Sequence, residues 1–126
     1  MNSKENKQPY YNERVKKYYR YILYIMDMTD FKLPQDVEDP LPQLKKLYNG
    51  EGDVAVSKRL ASHYLNYFRL NWKELTAMER AFVLMARLAV ACQFSNDEEL
   101  TKQIDSVETG YYNNGGPVDK LFADFE

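Results

Sequence analysis

The 126-residue chain contains one cysteine, one histidine and one tryptophan. A single cysteine, Cys92, cannot form an internal disulfide, and this favours a reducing compartment. A site with several histidine ligands is excluded, and a histidine-dependent catalytic group has to use His63, whose neighbours one helical turn away offer no carboxylate to orient the ring. We therefore expect a protein that is not an enzyme and that carries no metal or cofactor.

Other functional signatures are missing as well. The glycines at 110, 115 and 116 lie among tyrosines and asparagines, without the lysine of a phosphate-binding loop. The acidic residues of segment 36–39 lack the glycine and the ligand spacing of a calcium loop. The apolar stretch 81–94 is shorter than the ~20 residues that cross a membrane, and the polar N-terminus does not resemble a signal peptide. We expect a cytoplasmic protein with no membrane partner.

The composition is that of one globular domain, with 44% apolar and 29% charged residues and a net charge of −2. The small net charge conceals two charged ends. Residues 1–20 hold six Lys or Arg against two Glu, whereas residues 95–126 hold eight Asp or Glu against two Lys. Either these two ends lie near one another in the fold, or each faces a different partner.

The apolar residues recur with helical spacing, and no segment has the alternation of a strand. Segment 81–94 reads AFVLMARLAVACQF, which is too long for a strand and too apolar for a surface helix. Thr76 and Glu79 have the spacing of a capping box, so this helix is predicted to span about 77–94. The sequence predicts an all-α fold, a single antiparallel bundle of four or five helices around this central helix.

Turn formers and capping residues delimit the other elements. The first helix is predicted at about 11–28 and is followed by a loop to Asp39. A second helix ends at Asn49-Gly50, and a third runs from Asp53 to about Leu70, with Trp72 closing that end of the core. A fifth begins at a second capping box, Ser95 with Glu98, and ends near Gly110. The predicted divisions are a flexible leader (1–10), the bundle (11–109), and a hinge with an acidic amphipathic tail (110–126).

The first helix carries an unusual row of side chains between its core face and its solvated face. Phenol rings alternate there with cationic groups, so one ridge combines stacking, hydrogen bonding and positive charge. The core face next to it is predicted from the same helical rotation as Val15, Tyr18, Tyr19, Ile22, Ile25 and Met26. The row itself, named here the helix-one row, consists of Tyr10, Arg14, Lys17, Tyr21 and Tyr24, with Met28 at its end.

The helix-one row allows three interpretations. Its tyrosines can be anchors for a protein partner, because Tyr and Arg are enriched at binding hot spots. Its cations can contact phosphates while Tyr21 or Tyr24 stacks on an unpaired base. Alternatively, the tyrosines pack under the loop 29–39 and the cations solvate the helix. The overall acidity of the chain argues against nucleic acid.

The C-terminal tail is the second candidate surface. Leu121, Phe122 and Phe125 stand among acidic residues, as in linear motifs that dock in an apolar groove. The tail can equally dock on its own bundle, on the basic first helix, where the opposite charges of the two ends would meet, or on a second copy in a homo-oligomer. The function predicted from the sequence is therefore binding of a protein partner, as an adaptor, inhibitor or immunity-type protein. A nucleic-acid-binding accessory protein is the alternative.

Overall fold

The described part of the chain forms five α-helices, and the fold is an all-α bundle as the sequence predicts. The computed structural model describes residue 8 and residues 10–113, and this described part contains no strand. The predicted leader lies outside it except for positions 8 and 10, and the predicted tail beyond 113 lies outside it entirely. No helix among the described residues is long and apolar enough to span a membrane. The helices are α1 (Glu13–Met28), α2 (Leu41–Tyr48), α3 (Val54–Asn71), α4 (Ala77–Ala89) and α5 (Asp97–Asn113).

Side-chain caps begin most of these helices. Asn12 accepts from the N–H of Val15 at 2.9 Å, and Asp53 accepts from the N–H of Ala55 at 2.8 Å. Thr76 forms the predicted capping box with Glu79. The Glu79 N–H donates to Thr76 Oγ1 at 3.1 Å, and the Thr76 N–H donates to Glu79 Oε1 at 2.8 Å. Each contact satisfies a backbone donor that the helix itself leaves unpaired. The predicted starts of α3 and α4 are confirmed.

Contacts between the helices define two ends of the bundle. At the first, named here the Asp97 end, α1 and α5 begin and α4 finishes, and the Tyr19 hydroxyl donates to the Ala91 carbonyl at 3.2 Å. At the opposite Trp72 end, α1, α3 and α5 finish and α4 begins. At that end the Phe82 ring has two aromatic neighbours. Its centroid lies 5.0 Å from that of Phe31 and 6.4 Å from that of Tyr111. Helix α4 therefore runs antiparallel to α1, α3 and α5.

Helix α4 is shorter than predicted, and its predicted end at residue 94 is wrong. The helix stops at Ala89, although Val90, Cys92 and Phe94 remain buried in non-helical backbone. The Phe94 ring packs against the ring of Tyr18 at a centroid distance of 6.3 Å. An apolar run indicates that a segment is buried, but it does not show that the segment is helical. Residues 90–94 therefore remain in the core although their backbone has left the helix and turns toward α5.

Two expectations about α5 also need correction. Its cap is Asn96 and not Ser95, because the Glu99 N–H donates to Asn96 Oδ1 at 2.9 Å while Glu99 accepts from the Ser95 N–H at 2.6 Å. Gly110 does not end the helix, which continues to Asn113. A Cβ at Gly110 would lie 2.8 Å from Leu88 Cδ1, so glycine there allows α5 to approach α4 closely.

The predicted core is largely confirmed, and Trp72 is the main exception. All six residues predicted for the core face of α1 are buried, as are Leu100, Ile104 and Val107 of α5. Trp72, predicted to close the core, has 43% of its surface exposed, and Met78 in the first turn of α4 is exposed too. The Trp72 end therefore leaves large apolar side chains in water.

Candidate protein-binding surface

The first half of the helix-one row is bound to the start of α5. The Tyr10 hydroxyl donates to Asp97 Oδ1 at 2.8 Å, and this hydrogen bond raises the Tyr10 pKa. Arg14 donates to the Asp97 carbonyl at 3.1 Å and to Thr101 Oγ1 at 3.0 Å. The basic N-terminal region and the acidic start of α5 thus lie in contact. This agrees with the first of the two alternatives given above, in which the charged ends lie near one another in the fold.

The residues in the second half of the helix-one row differ from one another in solvent exposure. Lys17 and Tyr21 are half-buried, whereas Tyr24 has 56% of its surface exposed. The rings of Tyr21 and Tyr24 lie 5.8 Å apart. The structure therefore does not present the row as one continuous ridge. The other nominated residues, Leu121, Phe122 and Phe125, lie outside the described residues.

His63 belongs to a set of contacts that attach the loop after α1 to α3. Its Nε2 accepts from the Glu38 N–H at 3.3 Å, and the Tyr64 hydroxyl donates to the Glu38 carbonyl at 2.7 Å. Arg59 binds both carboxylate oxygens of Glu38, at 2.9 and 3.1 Å. These hydrogen bonds lower the Glu38 pKa. His63 and Glu38 therefore hold the loop in place.

The remaining acidic residues and the cysteine also have structural contacts. Asp39, which precedes the N-cap residue Pro40 of α2, accepts from the Leu41 N–H at 3.0 Å, and Asp36 accepts from the Tyr67 hydroxyl at 3.2 Å. Cys92 is buried, with its Sγ 3.6 Å from Ser57 Oγ, and burial raises the pKa of its thiol. Within residues 8 and 10–113, no cluster of three or more Cys, His, Asp or Glu could hold a metal ion.

The connection between α3 and α4 carries two large exposed apolar side chains, Leu70 and Trp72. Helix α3 ends at Asn71, and a short 3₁₀ turn, Trp72–Glu74, follows it directly. Leu75 then adopts an extended conformation and is buried, and Thr76 caps α4. Because only one extended residue separates the 3₁₀ turn from the cap, the chain reverses tightly and Trp72 stays at the surface.

Arg80 and Phe68 fix the orientation of Trp72. The Arg80 guanidinium lies over the indole ring, 3.9 Å from its centroid, and donates to the Trp72 carbonyl from Nε at 2.9 Å. The Phe68 ring meets the indole edge-on at a centroid distance of 5.1 Å. Cation–π and edge-to-face contacts of this kind hold an aromatic ring without burying it. The indole is thus pre-oriented while part of it remains open to water.

A groove of about 450 Å³ lies beside this indole. Leu70, one of its lining residues, has 81% of its surface exposed. Arg69 and Lys73 add positive charge to the lining, and Glu74 adds one negative charge. We name the apolar residues Phe68, Leu70 and Trp72, together with the cations Arg69, Lys73 and Arg80, the Trp72 surface.

The sequence offered a signal for this surface in the position of Leu70. Helical rotation places Leu70 about 100° from the centre of the inward stripe that contains Leu60 and Tyr64, so it lies at the edge of that stripe. A leucine at such an edge is a candidate for a partly exposed apolar residue. Trp72 was predicted to close that end of the core, and the 3₁₀ turn that keeps it at the surface has no comparable sequence signal.

Comparisons with known proteins give no relative for this chain. No protein-family model, curated protein or solved structure matches it.

Proposed function

We propose that the protein acts by binding a protein partner through the Trp72 surface, as a non-catalytic adaptor, inhibitor or immunity-type protein. The observation that carries this proposal is the combination of a Trp72 indole oriented by Arg80 with an adjacent Leu70 that is 81% exposed. Contiguous exposed apolar side chains mark interaction sites, and Trp and Arg are enriched among the residues that dominate binding energy. An indole already held in place loses little freedom on binding.

The chemistry of the surface indicates what the partner presents. Leu70 and Trp72 need an apolar side chain from the partner, and the groove volume falls within the range of ordinary binding clefts. Arg69 and Lys73 line the groove and Arg80 lies over the indole, so carboxylates on the partner are complementary to the charge of this surface. The proposed partner segment is therefore apolar and acidic.

Affinity purification from the host with three baits tests the proposal. The baits are the wild-type chain, Leu70→Asp, which places a charge in the groove, and Tyr24→Ala, which removes the exposed ring of the helix-one row. We expect Leu70→Asp to reduce retention of the partner about tenfold or more, as for a hot-spot residue. We expect Tyr24→Ala to retain it.

Circular dichroism and melting temperatures establish that both baits are folded. Equal retention of the same proteins by the wild-type and Leu70→Asp baits contradicts the proposed surface. If the Tyr24→Ala bait loses the partner and the Leu70→Asp bait retains it, the binding site lies on the helix-one row and not on the Trp72 surface.

Nucleic-acid binding is the second candidate, because Trp72 beside Arg69, Lys73 and Arg80 also resembles a platform for an unpaired base. Gel shifts with short single-stranded and duplex oligonucleotides at two salt concentrations test it. Phosphate contacts weaken steeply with salt, so binding at low salt that falls at high salt supports this candidate. No binding at low salt removes it.

We propose the cytoplasm as the location, because the cysteine is unpaired and its thiol is buried. Association with a second copy is a separate expectation. Size-exclusion chromatography over a range of protein concentrations tests it, since a homo-oligomer elutes earlier as the concentration rises.

A further inference from the structure

Helix α5, the last described element, ends at the Trp72 end of the bundle. Helix α5 runs antiparallel to α4: the Gln103 side chain donates to the Leu88 carbonyl, and the Tyr111 ring lies 6.4 Å from the Phe82 ring. Continuing this register places Asn113, the last residue of α5, beside the first turn of α4. Arg80, at the end of that first turn, contacts Trp72. The described chain therefore ends at the same end of the bundle as the Trp72 surface.

The sequence after α5 is long enough to reach this surface. Crossing from α5 past α4 to the end of α3 covers at most two interaxial spacings, about 16–20 Å. Eight residues lead from Asn113 to Leu121, and an extended chain of that length spans about 26 Å. Leu121 and the residues after it can thus lie over the groove without any change in the helices.

The chemistry of this segment complements the Trp72 surface. Residues 117–126 contain three acidic residues and one lysine, among Leu121, Phe122 and Phe125. The surface contains the cations Arg69, Lys73 and Arg80 against Glu74, around an apolar centre. Both the apolar side chains and the opposite charges therefore match.

We propose that residues 117–126 dock on the Trp72 surface of their own chain, with Leu121, Phe122 and Phe125 against Phe68, Leu70 and Trp72. The inference rests on the proposed function in that it assigns an internal ligand to the same surface. Such a segment competes with the partner for the groove, and a partner has to displace it. Its local concentration is set by a short connection, which makes it an effective competitor even if its intrinsic affinity is weak.

The fluorescence of Trp72 tests this docking in the full-length chain, because Trp72 is the only tryptophan. The test variant is Phe122→Ser with Phe125→Ser, and Ala123→Ser is the matched control in the same segment. We expect the double variant to move the emission maximum to longer wavelength and to increase acrylamide quenching about twofold, since the indole returns to water. The control should match the wild type, and far-UV circular dichroism should be unchanged in both.

A second background makes the test specific for the groove. In a Leu70→Asp chain, the same Phe122→Ser and Phe125→Ser changes should have no further effect on emission or quenching. Unchanged fluorescence of the double variant in the wild-type background overturns the inference. Shielding of Trp72 that disappears on dilution also overturns it, because it assigns the segment to a second copy.

Partner binding separates this inference from the proposed function. Docking predicts that the partner binds the Phe122→Ser, Phe125→Ser variant more tightly than the wild type, by about the fold-change in quenching or more. If fluorescence reports docking but Leu70→Asp retains every partner, the proposed function fails and the inference stands. If Leu70→Asp loses the partner while the double variant has wild-type fluorescence and affinity, the inference fails and the proposed function stands.

Discussion

The two ends of the bundle use the same kinds of side chains differently. At the Asp97 end, Tyr10 and Arg14 are hydrogen-bonded to α5, and Phe94 is buried against Tyr18. At the Trp72 end, the Arg80 guanidinium lies over the Trp72 ring, but this indole remains 43% exposed beside the exposed Leu70. The first end is stabilised by its contacts within the chain, whereas the second has apolar surface that the described residues leave exposed.

This difference separates stabilising groups from candidates for binding. Tyrosine and arginine are typical of binding hot spots, but residue type alone does not identify a binding residue. Tyr10 and Arg14 already donate to acceptors within the chain. Leu70 at 81% exposure costs free energy in water that only a ligand can recover. We therefore expect substitutions at the Asp97 end to change stability, and substitutions at the Trp72 end to change binding.

The largest expected effect is alkaline unfolding from the core near the Asp97 end. Burial raises the pKa of Tyr18 and Tyr19 above the usual value, and burial with the nearby Glu38 does the same for Tyr64. In the unfolded chain tyrosines ionise near pH 10, so the free energy of unfolding falls as the pH rises above that value. Tyrosinate absorbance and helical circular dichroism should then change together for these residues.

Tyr18→Phe removes one of these ionisations. We expect its alkaline midpoint to lie at higher pH than that of the wild type. Ionisation of the buried tyrosines with full retention of helix would contradict their assignment to the core.

Phe94→Ala should have the next largest effect. Phe94 is buried against Tyr18 and Tyr19 beyond the end of α4, and truncating a buried phenylalanine costs about 3–5 kcal/mol. Urea unfolding followed by circular dichroism measures this loss. A loss below about 1 kcal/mol would mean that the non-helical segment 90–94 is not part of the core.

Arg14→Ala should cost about 1 kcal/mol, because it removes hydrogen bonds to the Asp97 carbonyl and to Thr101. Arg20→Ala is the matched control on the exposed side of α1, where we expect about 0.5 kcal/mol or less. The same urea titration compares the two variants. Equal losses would show that the contact between α1 and α5 contributes nothing specific.

Leu70→Ser should have the smallest effect on stability. The side chain is mostly in water, so we expect a change of about 0.5 kcal/mol or less. Urea unfolding should overlay that of the wild type, while partner retention falls. A loss of stability comparable to that of Phe94→Ala would assign Leu70 to the core.

The sequence was sufficient for the parts of the fold that depend on periodicity and capping. The core face of α1 and the capping box at Thr76 follow from residue spacing, and both are confirmed. The end of α4 was not predictable in this way, since Cys92 and Phe94 are equally apolar in a helix or in buried irregular backbone. Gly110 was misinterpreted because only the packing of α5 on α4 shows that a Cβ would meet Leu88.

The candidate site depended more strongly on tertiary structure. The helix-one row was found from residue type, but its contacts with Asp97 and Thr101 join residues more than 80 positions apart. The Trp72 surface results from a 3₁₀ turn and from the stacking of Arg80 across the connection between two helices. Neither contact has a periodic pattern that a sequence can reveal.

Titration of the recovered partner into the chain, followed by Trp72 emission, tests the proposed surface most directly. In the Phe122→Ser, Phe125→Ser chain, whose indole residues 117–126 no longer shield, we predict a saturable shift of the emission to shorter wavelength, since binding removes the exposed part of the indole from water. With Leu70→Asp the shift should require about tenfold more partner or more. Calorimetric binding of the same partner with no change in Trp72 emission, and with equal affinity for Leu70→Asp, would contradict the account.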